Sequence, residues 1–327
     1  MYNRFGRGLR LEIEGASHSE SIRITLDGVP QGIALAEEDF ERDLAQRRAG
    51  AIGTTPRTEA DKPEIEGLVA GVTTGERIAI TFRNSNTRSG DYSHLRRHPR
   101  PSHVDFVANS RWGESVDLRG SGQFSGRMTV ALVAAGVVAK KIVGSGVEFS
   151  SEIVELGGER DRNRFEEVLL DAVAEGDSVG GVVECRVKGL PIGLGEPFFD
   201  STESVISHLL FSVPAVKGVE FGSGFEGVRL RGSERNDRII AADGTTATNN
   251  EGGINGGLTN GNELIVRAAI KPTPSIALPQ DTFNFESGEI EPLVIGGRHD
   301  CCIVLRARIV VEAVVAIALA ELKLAAR

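Results

Sequence analysis

Two stretches of this chain, "GRMTVALVAAGVVAKKIV" (residues 126–143) and "EAVVAIALAELKLAA" (312–326), are long, alanine-rich and apolar on nearly every face. A helix with one apolar stripe can lie on a surface, whereas a helix that is apolar all round has to be covered from every side. Charges interrupt both too early for a bilayer crossing. Both are therefore expected at the centre of a layered fold. The covering layers have to come from short alternating or β-branched runs, and "SIRITLDG", "ERIAITFRN", "SVGGVVECRVKGL", "GVEFGSGFEGVRLRG", "NELIVRAAIK" and "CIVLRARIV" predict strands. Further helices are expected at "AEEDFERDLAQRRA", "NRFEEVLLDAVAEG" and "ESVISHLLFSV", each with polar or acidic residues near its start. Strands and helices alternate without a βαβ period. That favours an α+β chain, with antiparallel sheets packed on helices, over a doubly wound parallel sheet. With no linker, charge block or tandem repeat in 327 residues, a single domain over 1–327 is the simplest reading.

Composition matters most for what it excludes. With 46 acidic against 37 basic residues and a formal charge of −9, the chain is not built to coat nucleic acid or an anionic membrane. An anionic ligand would have to be caught by a local cluster. Cys185, Cys301 and Cys302 are too few for a disulfide framework and have no paired metal-ligand spacing, which fits a reducing cytoplasm and no metal site. The opening "MYNRFGRGLRLEIEG" lacks the apolar core of a signal peptide, so a soluble protein is expected.

Arginines gather in polar, glycine-containing segments of the first half: Arg47 and Arg48 in "QRRAG", Arg57 in "TTPRTE", Arg100 in "RPSH", Arg119 and Arg127 in "DLRGSGQFSGRMTV". Guanidinium forks match phosphate and carboxylate, so the grouping suggests an oxyanion site, with solvated arginines paired to nearby Asp and Glu as the plainer alternative. "GSGQFSGR" runs into the first apolar helix, whose opening N–H groups would face an anion or a ring carbonyl. No G-x-G-x-x-G opens a βαβ unit and no GK[ST] occurs, so neither a Rossmann fold nor a P-loop is supported. "TNNEGGINGGLTNG" (248–261) and "KPTPS" (271–275) could approach a flat ligand closely or simply form tight turns. Of six histidines, His18 in "GASHSES", His103 in "RPSHVD" and His299 in "GGRHD" lie in small, polar, turn-like settings; His208 reads as an ordinary helix residue, and His94 and His98 as loop surface. Histidine can give or take a proton near neutral pH without a large shift.

Taken in order, these segments resemble the chorismate synthase family. "GASHSESIRITLDGVPQGIAL", "RRAGAIGTTPRTEADKPEIEGLVAGVTTGERIAI", "RSGDYS", "RPSHVD", "WGESVDLRGSGQFSGRMTVALVAAGVVAKK", "GLGEPFFD", "AVKGVEFGSGF", "NNEGGINGGLTNG", "KPTPSI" and "GRHDCC" follow the family order along nearly the whole chain. The resemblance implies a β-α-β sandwich, helices between antiparallel sheets, assembled as a homotetramer. It also implies the conversion of 5-enolpyruvylshikimate 3-phosphate to chorismate by 1,4-anti loss of phosphate and a ring proton. Reduced FMN would be needed without net redox change, with NADPH entering only indirectly, through flavin reduction by a separate protein.

Carried onto matching positions, the resemblance makes His18 and His103 the two acids, with Asp300 assisting proton removal through the flavin. It puts Arg48, Arg57 and Arg127 on the trianionic substrate, and Arg47 at a position linked to a nicotinamide or substrate phosphate. Flavin contacts fall on Gln123, Phe124, Ser125, Pro214, Ala215, Gly256, Lys271, Pro272, Thr273, Pro274, Ser275 and Arg298. The chain departs from the family at Gln123 and Phe124, where Arg and Ser are usual, at Met128 for Glu, at Ser19 for Gly and at Glu251 for a small residue. These departures motivate the alternative of a non-catalytic paralogue that binds a flavin or a phosphorylated shikimate-like ligand. An unrelated flavin oxidoreductase is disfavoured by the missing dinucleotide motif.

Overall fold

The computed structural model describes residues 3–55, 57, 59–86, 94–296 and 299–326; Arg298 and "RSGDYS" (88–93) lie outside them. Strands β1 (Arg4–Phe5), β2 (Arg10–Gly15) and β3 (Ser21–Asp27) lead into α1 (Glu38–Arg47), followed by β4 (Glu64–Glu66), the short pair β5 (Leu68–Val69) and β6 (Val72–Thr73), and β7 (Ile78–Arg83). Next come α2 (Asp105–Trp112), α3 (Thr129–Val143), β8 (Glu148–Leu156), α4 (Phe165–Glu175), β9 (Gly181–Lys188), α5 (Thr202–Ser212) and β10 (Val216–Phe221). The last third holds the one-turn helices α6 (Gly224–Gly227) and α7 (Gly232–Arg235), the pair β11 (Ile254–Asn255) and β12 (Leu258–Thr259), then β13 (Leu264–Ile270), the hairpin β14 (Gln280–Asn284) and β15 (Glu289–Leu293), and α8 (Val304–Ala325).

Two antiparallel sheets enclose the apolar helices, in the orders β1-β2-β3-β7-β4 and β10-β13-β9-β8. The pleat sends alternate residues to one face. Ile22, Ile24 and Leu26 of β3, opposite Phe82, Ile80 and Ile78 of β7, are fully buried, and α3 lies on these two strands. In the second sheet Val266 opposite Cys185 and Ala268 opposite Val183 are likewise buried, and α8 lies on β8 and β9. Between the sheets α3 packs along α8, with α1 against both and α5 against α8, and one contiguous cluster of buried apolar residues spans all the layers. A Cβ on Gly136 of α3 would lie 2.5 Å from the Cβ of Ala313 on α8 and 2.7 Å from its Cα, so the missing side chain is what lets the two helices approach this closely.

The charges inside this layer are partnered, as burial requires. Lys140 on α3 donates to Asp43 of α1 and to Glu312 of α8, both at 2.6 Å, and Ser151 of β8 donates to the other oxygen of Glu312 at 2.6 Å. Lys323 near the end of α8 donates to the carbonyls of Ile142 and Val143, which close α3. Because the starts of both helices border one cleft, α3 and α8 run in the same direction and bring two positive helix ends to the same place.

Two strand expectations are corrected. "CIVLRARIV" (302–310) forms the start of α8, because its β-branched residues are covered by helices as well as by the second sheet. The strand read in "GVEFGSGFEGVRLRG" ends at Phe221, and the rest turns through Gly222 and Gly224, at φ +55° and +48°, into α6. Strands β8, β14 and β15 and helix α2 carry too little apolar periodicity to be read from sequence.

Candidate active site

A cleft of about 730 Å³ opens at the starts of α3 and α8 and the end of α1. Among the described residues it is lined by Arg47, Arg48, Arg57, Arg100, Arg127, Arg306, Lys217 and Lys271 against only Glu59, Asp61 and Asp300. In a chain of net charge −9, this is the local cationic surplus that an anionic ligand requires. A groove of about 1040 Å³ lies elsewhere, beside β1, α5 and the end of α8, but three of its four arginines are paired with acids, Arg7 with Asp200 at 2.5 Å, Arg4 with Glu12 at 2.8 Å and Arg77 with Asp27 at 2.9 Å.

His103 enters the cleft just before α2, after Ser102 at φ +57°. Its Nδ1 lies 2.7 Å from Oδ1 of Asp105, the first residue of α2, and its Nε2 lies 3.0 Å from Oγ of Ser121. Arg100 grips both oxygens of Asp105, Nε to Oδ2 at 2.7 Å and Nη2 to Oδ1 at 2.8 Å, and also donates to Ser275 at 2.9 Å. Burial works to raise the Asp105 carboxyl, but the bonds from Arg100 and His103 win and hold it far below the usual carboxylate range. An ionised Asp105 can only accept, so the Nδ1 of His103 carries the proton and Nε2 faces Ser121. Burial, with help from Arg100 and against Asp105, lowers the pKa of His103, so the ring is neutral at pH 7 in the ligand-free protein. Arg100, grouped with the anion-binding arginines on sequence, instead spends its fork on Asp105.

His18 packs against the same short turn but is not itself among the residues lining the cleft. Residues Gly120, Ser121 and Gly122 all have positive φ, at 56°, 68° and 53°. A Cβ on Gly120 would come within 2.6 Å of His18 Nε2, and one on Gly122 within 1.9 Å of the Asp117 carbonyl, so both positions require glycine. The loop carrying His18 is fastened from several directions. Ser17 donates its N–H to Gly122 and accepts from Arg57 at 3.0 and 3.2 Å, while Asn84 donates to the carbonyls of Ala16 and Ser19 at 3.2 and 2.8 Å.

The remaining arginines divide by role. Arg57 is clamped by Glu59 at 2.7 and 3.1 Å; burial pushes the Glu59 carboxyl up, but N–H groups led by Ser85, with Arg57, draw it down to about 2. Arg127 pairs with Asp61 and donates through Nε to Asn84 at 3.1 Å, while its Nη2 is buried in the cleft wall with no hydrogen-bond partner among the described residues. Arg48, at the rim, pairs with Glu41 at 2.8 Å. Arg47, expected at a nicotinamide or substrate phosphate, borders the cleft but is 1% exposed, and its guanidinium bonds Thr129, Asp61 and the carbonyls of Gly126 and Arg127. It is a brace for the start of α3. Asp300 accepts from the backbone of Thr55 at 2.9 Å and from Arg306 at 3.1 Å.

Most of the proposed flavin contacts border the same cleft. Gln123 accepts from Asn3 at 3.3 Å, Phe124 tilts against Trp112 at 5.8 Å, and Ser125 caps the turn before α3. Pro214 and Ala215 lie between α5 and β10, and Lys271, at the end of β13, donates to the Ser102 carbonyl at 2.7 Å. Thr273, Pro274 and Ser275 line the wall, with Thr273 Oγ1 buried and without a partner among the described residues, and Pro272 adjoins them. Gly256 does not join this group: it sits on the β11–β12 turn, beside the loop that precedes α5. Asp61, Asn84, Ser121 and Arg306 were missed on sequence, and Asp105, conspicuous beside Arg100 and His103, was given no role. Of these, only Asp105 carries a local signal, a carboxylate two residues after a histidine.

Residues 9–324 match the family model described as chorismate synthase. A chorismate synthase of Chitinophaga pinensis is 54% identical over 323 residues, covering 98% of this chain and 96% of the relative, and one of Korarchaeum cryptofilum is 43% identical, covering 97% and 96%. A crystal structure of chorismate synthase superposes with a TM-score of 0.73 at 26% identity, covering 97% of this chain and 92% of that one.

Proposed function

The chain belongs to the chorismate synthase family, and we propose that it is a lyase that forms chorismate from 5-enolpyruvylshikimate 3-phosphate by 1,4-anti elimination of phosphate. The observation that carries this reading is His103 on a cleft whose cations outnumber its acids, with His18 packed against the Gly120–Ser121 turn that borders the same cleft. The buried Nη2 of Arg127 leaves a donor open for an oxyanion, and Arg57 and Arg48 flank it. A multiply charged anion bound beside His103 raises the proton affinity of the ring, turning a neutral imidazole into the acid that phosphate departure needs. Across the cleft, Asp300 is held as a proton acceptor by Thr55 N–H and Arg306.

The cleft also suits reduced FMN: Val107, Phe124, Pro214 and Pro274 give apolar walls, Thr273 offers a hydroxyl with no partner among the described residues, and Lys217 and Lys271 bring positive charge to the cleft that Gln123, in place of the family's arginine, does not. Bound there, the flavin would lend electron density to loosen the phosphate and recover it as the proton leaves. Gln123, Phe124, Ser125, Pro214, Ala215 and the segment Lys271 to Ser275 would hold it. Gly256 would meet a flavin only from another copy of the chain, in keeping with the homotetramer that belongs to this reading. One folding unit over 1–327, a cytoplasmic location and flavin reduction by a separate protein complete it; among the described residues no helix is long and apolar enough to cross a membrane.

Family membership favours the enzyme over a ligand-sensing paralogue, and an anaerobic assay with chemically reduced FMN, followed by chorismate absorbance, decides between them. The wild-type protein should turn over and His103→Ala should lose about 10²- to 10⁴-fold in kcat. No turnover under conditions where the Chitinophaga pinensis relative works would refute the reading.

A further inference from the structure

Asn84, directly after β7, divides its side chain between two parts of the site. Its Nδ2 donates to the carbonyls of Ala16 and Ser19 at 3.2 and 2.8 Å, and its Oδ1 accepts from Nε of Arg127 at 3.1 Å. These partners permit one orientation of the amide, because a carbonyl only accepts and a guanidinium only donates. The backbone of Asn84 is fixed as well, its N–H donating to the Glu20 carbonyl at 2.9 Å.

Each side of that contact bears on a different group. Ala16 and Ser19 are the ends of a turn whose central residues are Ser17 and His18. It is closed by Ser19 N–H to the Ala16 carbonyl at 3.2 Å and by Ala16 N–H to Ser19 Oγ at 2.8 Å, a bond that the glycine usual at this position could not make. Holding both end carbonyls therefore sets the direction in which His18 leaves the backbone. On the other side, Arg127 has Nε on Asn84 and Nη1 on Asp61, which pins the plane of its guanidinium and leaves Nη2 as the buried donor without a partner among the described residues.

Resting on the functional reading above, we propose that Asn84 is a positioning residue that couples Arg127 to His18. Its amide registers the guanidinium that takes an oxyanion against the turn that carries the histidine, so that an anion settling on Arg127 is felt at His18. The ring is not among the residues lining the cleft, whereas Arg127 and Ser17 are, so the signal reaches it through the turn. An amide suits this place because it donates and accepts at once in fixed directions. Aspartate there would hold Arg127 but repel the two carbonyls, and alanine would do neither.

Titration of histidine-labelled protein with inorganic phosphate, followed by the imidazole nitrogen resonances, tests this without turnover. In the wild type, saturating phosphate should move both His103, which borders the cleft, and His18. In Asn84→Ala the His18 resonance should already be displaced before phosphate is added and should move less than half as far at saturation. His103 should still respond in full, which shows that the variant is folded and phosphate is bound. Asn84→Asp, which keeps an acceptor for Arg127 but offers no N–H to the turn, should displace His18 in the same way. With substrate and reduced FMN, Asn84→Ala should lose roughly tenfold or more in kcat, but about threefold or less in a His18→Ala background, because a residue that acts through His18 has little left to position once the ring is gone. A full His18 response in both Asn84 variants, or equal losses from Asn84→Ala with and without His18, overturns the coupling. A wild-type protein without turnover overturns the parent reading, and the phosphate titration still decides the role of Asn84.

Discussion

Asp105→Asn probes stability and chemistry at once. The Arg100 and Asp105 side chains are 2% and 1% exposed and are joined by two bonds of 2.7 and 2.8 Å. Removing one charge from a buried pair strands the other and costs about 3–5 kcal/mol, a large part of the roughly 5–15 kcal/mol that holds a domain folded. The substitution also takes from His103 the carboxylate that keeps the proton on Nδ1, so kcat should fall by about 10²- to 10⁴-fold, the range of general acid catalysis. The double variant Arg100→Gln with Asp105→Asn separates the effects. With both charges gone no ion is left stranded, so urea unfolding should recover much of the stability, while chorismate formation stays low because His103 still lacks its anion. Turnover that returned together with stability would refute the orienting role of Asp105. The pH dependence has a defined sign. The Asp105 carboxyl is depressed below its ordinary 3.8, so its contribution is complete above that value and is lost as pH falls through the lower folded value. Asp105→Asn should therefore narrow the stability difference from wild type only in strong acid.

Two further outcomes follow from the helix layer. Gly136→Ala should destabilise the fold by about 1–3 kcal/mol, the usual cost of overpacking, and Ala313→Gly should recover only part of it in urea melts, because the new Cβ also meets the Ala313 Cα at 2.7 Å. Lys140→Met should cost about 3–5 kcal/mol by leaving Asp43 and Glu312 buried without their cation. Burial opposes the Lys140 ammonium, but Glu312 and Asp43 prevail and raise it above the ordinary 10.5; its contribution is therefore whole below that value and fades as pH rises through the folded one, so wild type and variant should converge only under strongly alkaline conditions.

The features legible in sequence were those set by a residue's own neighbours. The all-round apolar character of residues 126–143 and 312–326 placed α3 and α8 between two sheets, because nowhere else could such surfaces be covered. The same reasoning failed for "CIVLRARIV", whose β-branched, alternating run predicts a strand and in which Arg306 and Arg308 stand two apart. On a helix they diverge: Arg306 reaches Asp300 and the Arg47 carbonyl, and Arg308 reaches Ser151 and Gln46. Asp300 is six residues from Arg306, but Arg47, Ser151 and Gln46 lie far away in sequence, so no local pattern could reveal those contacts.

The arginines show the same division at the site. Their clustering was visible, but their allotment depends on which carboxylate the fold brings near: Asp61 for Arg47 and Arg127, Glu59 for Arg57, Asp105 for Arg100. Once those pairs are formed, the guanidiniums differ in what they can still do. Arg47 and Arg100 are consumed by protein partners, whereas Arg127 keeps Nη2 buried and unpaired. An unmet buried donor costs about 1–3 kcal/mol, and a ligand oxyanion would supply the partner that the fold withholds. The sequence-level preference for arginine at an anion site is therefore too coarse by itself. What identifies a binding arginine is the donor left over after its structural partners are counted, and by that measure we propose Arg127 as the substrate anchor, while Arg47 braces the start of α3.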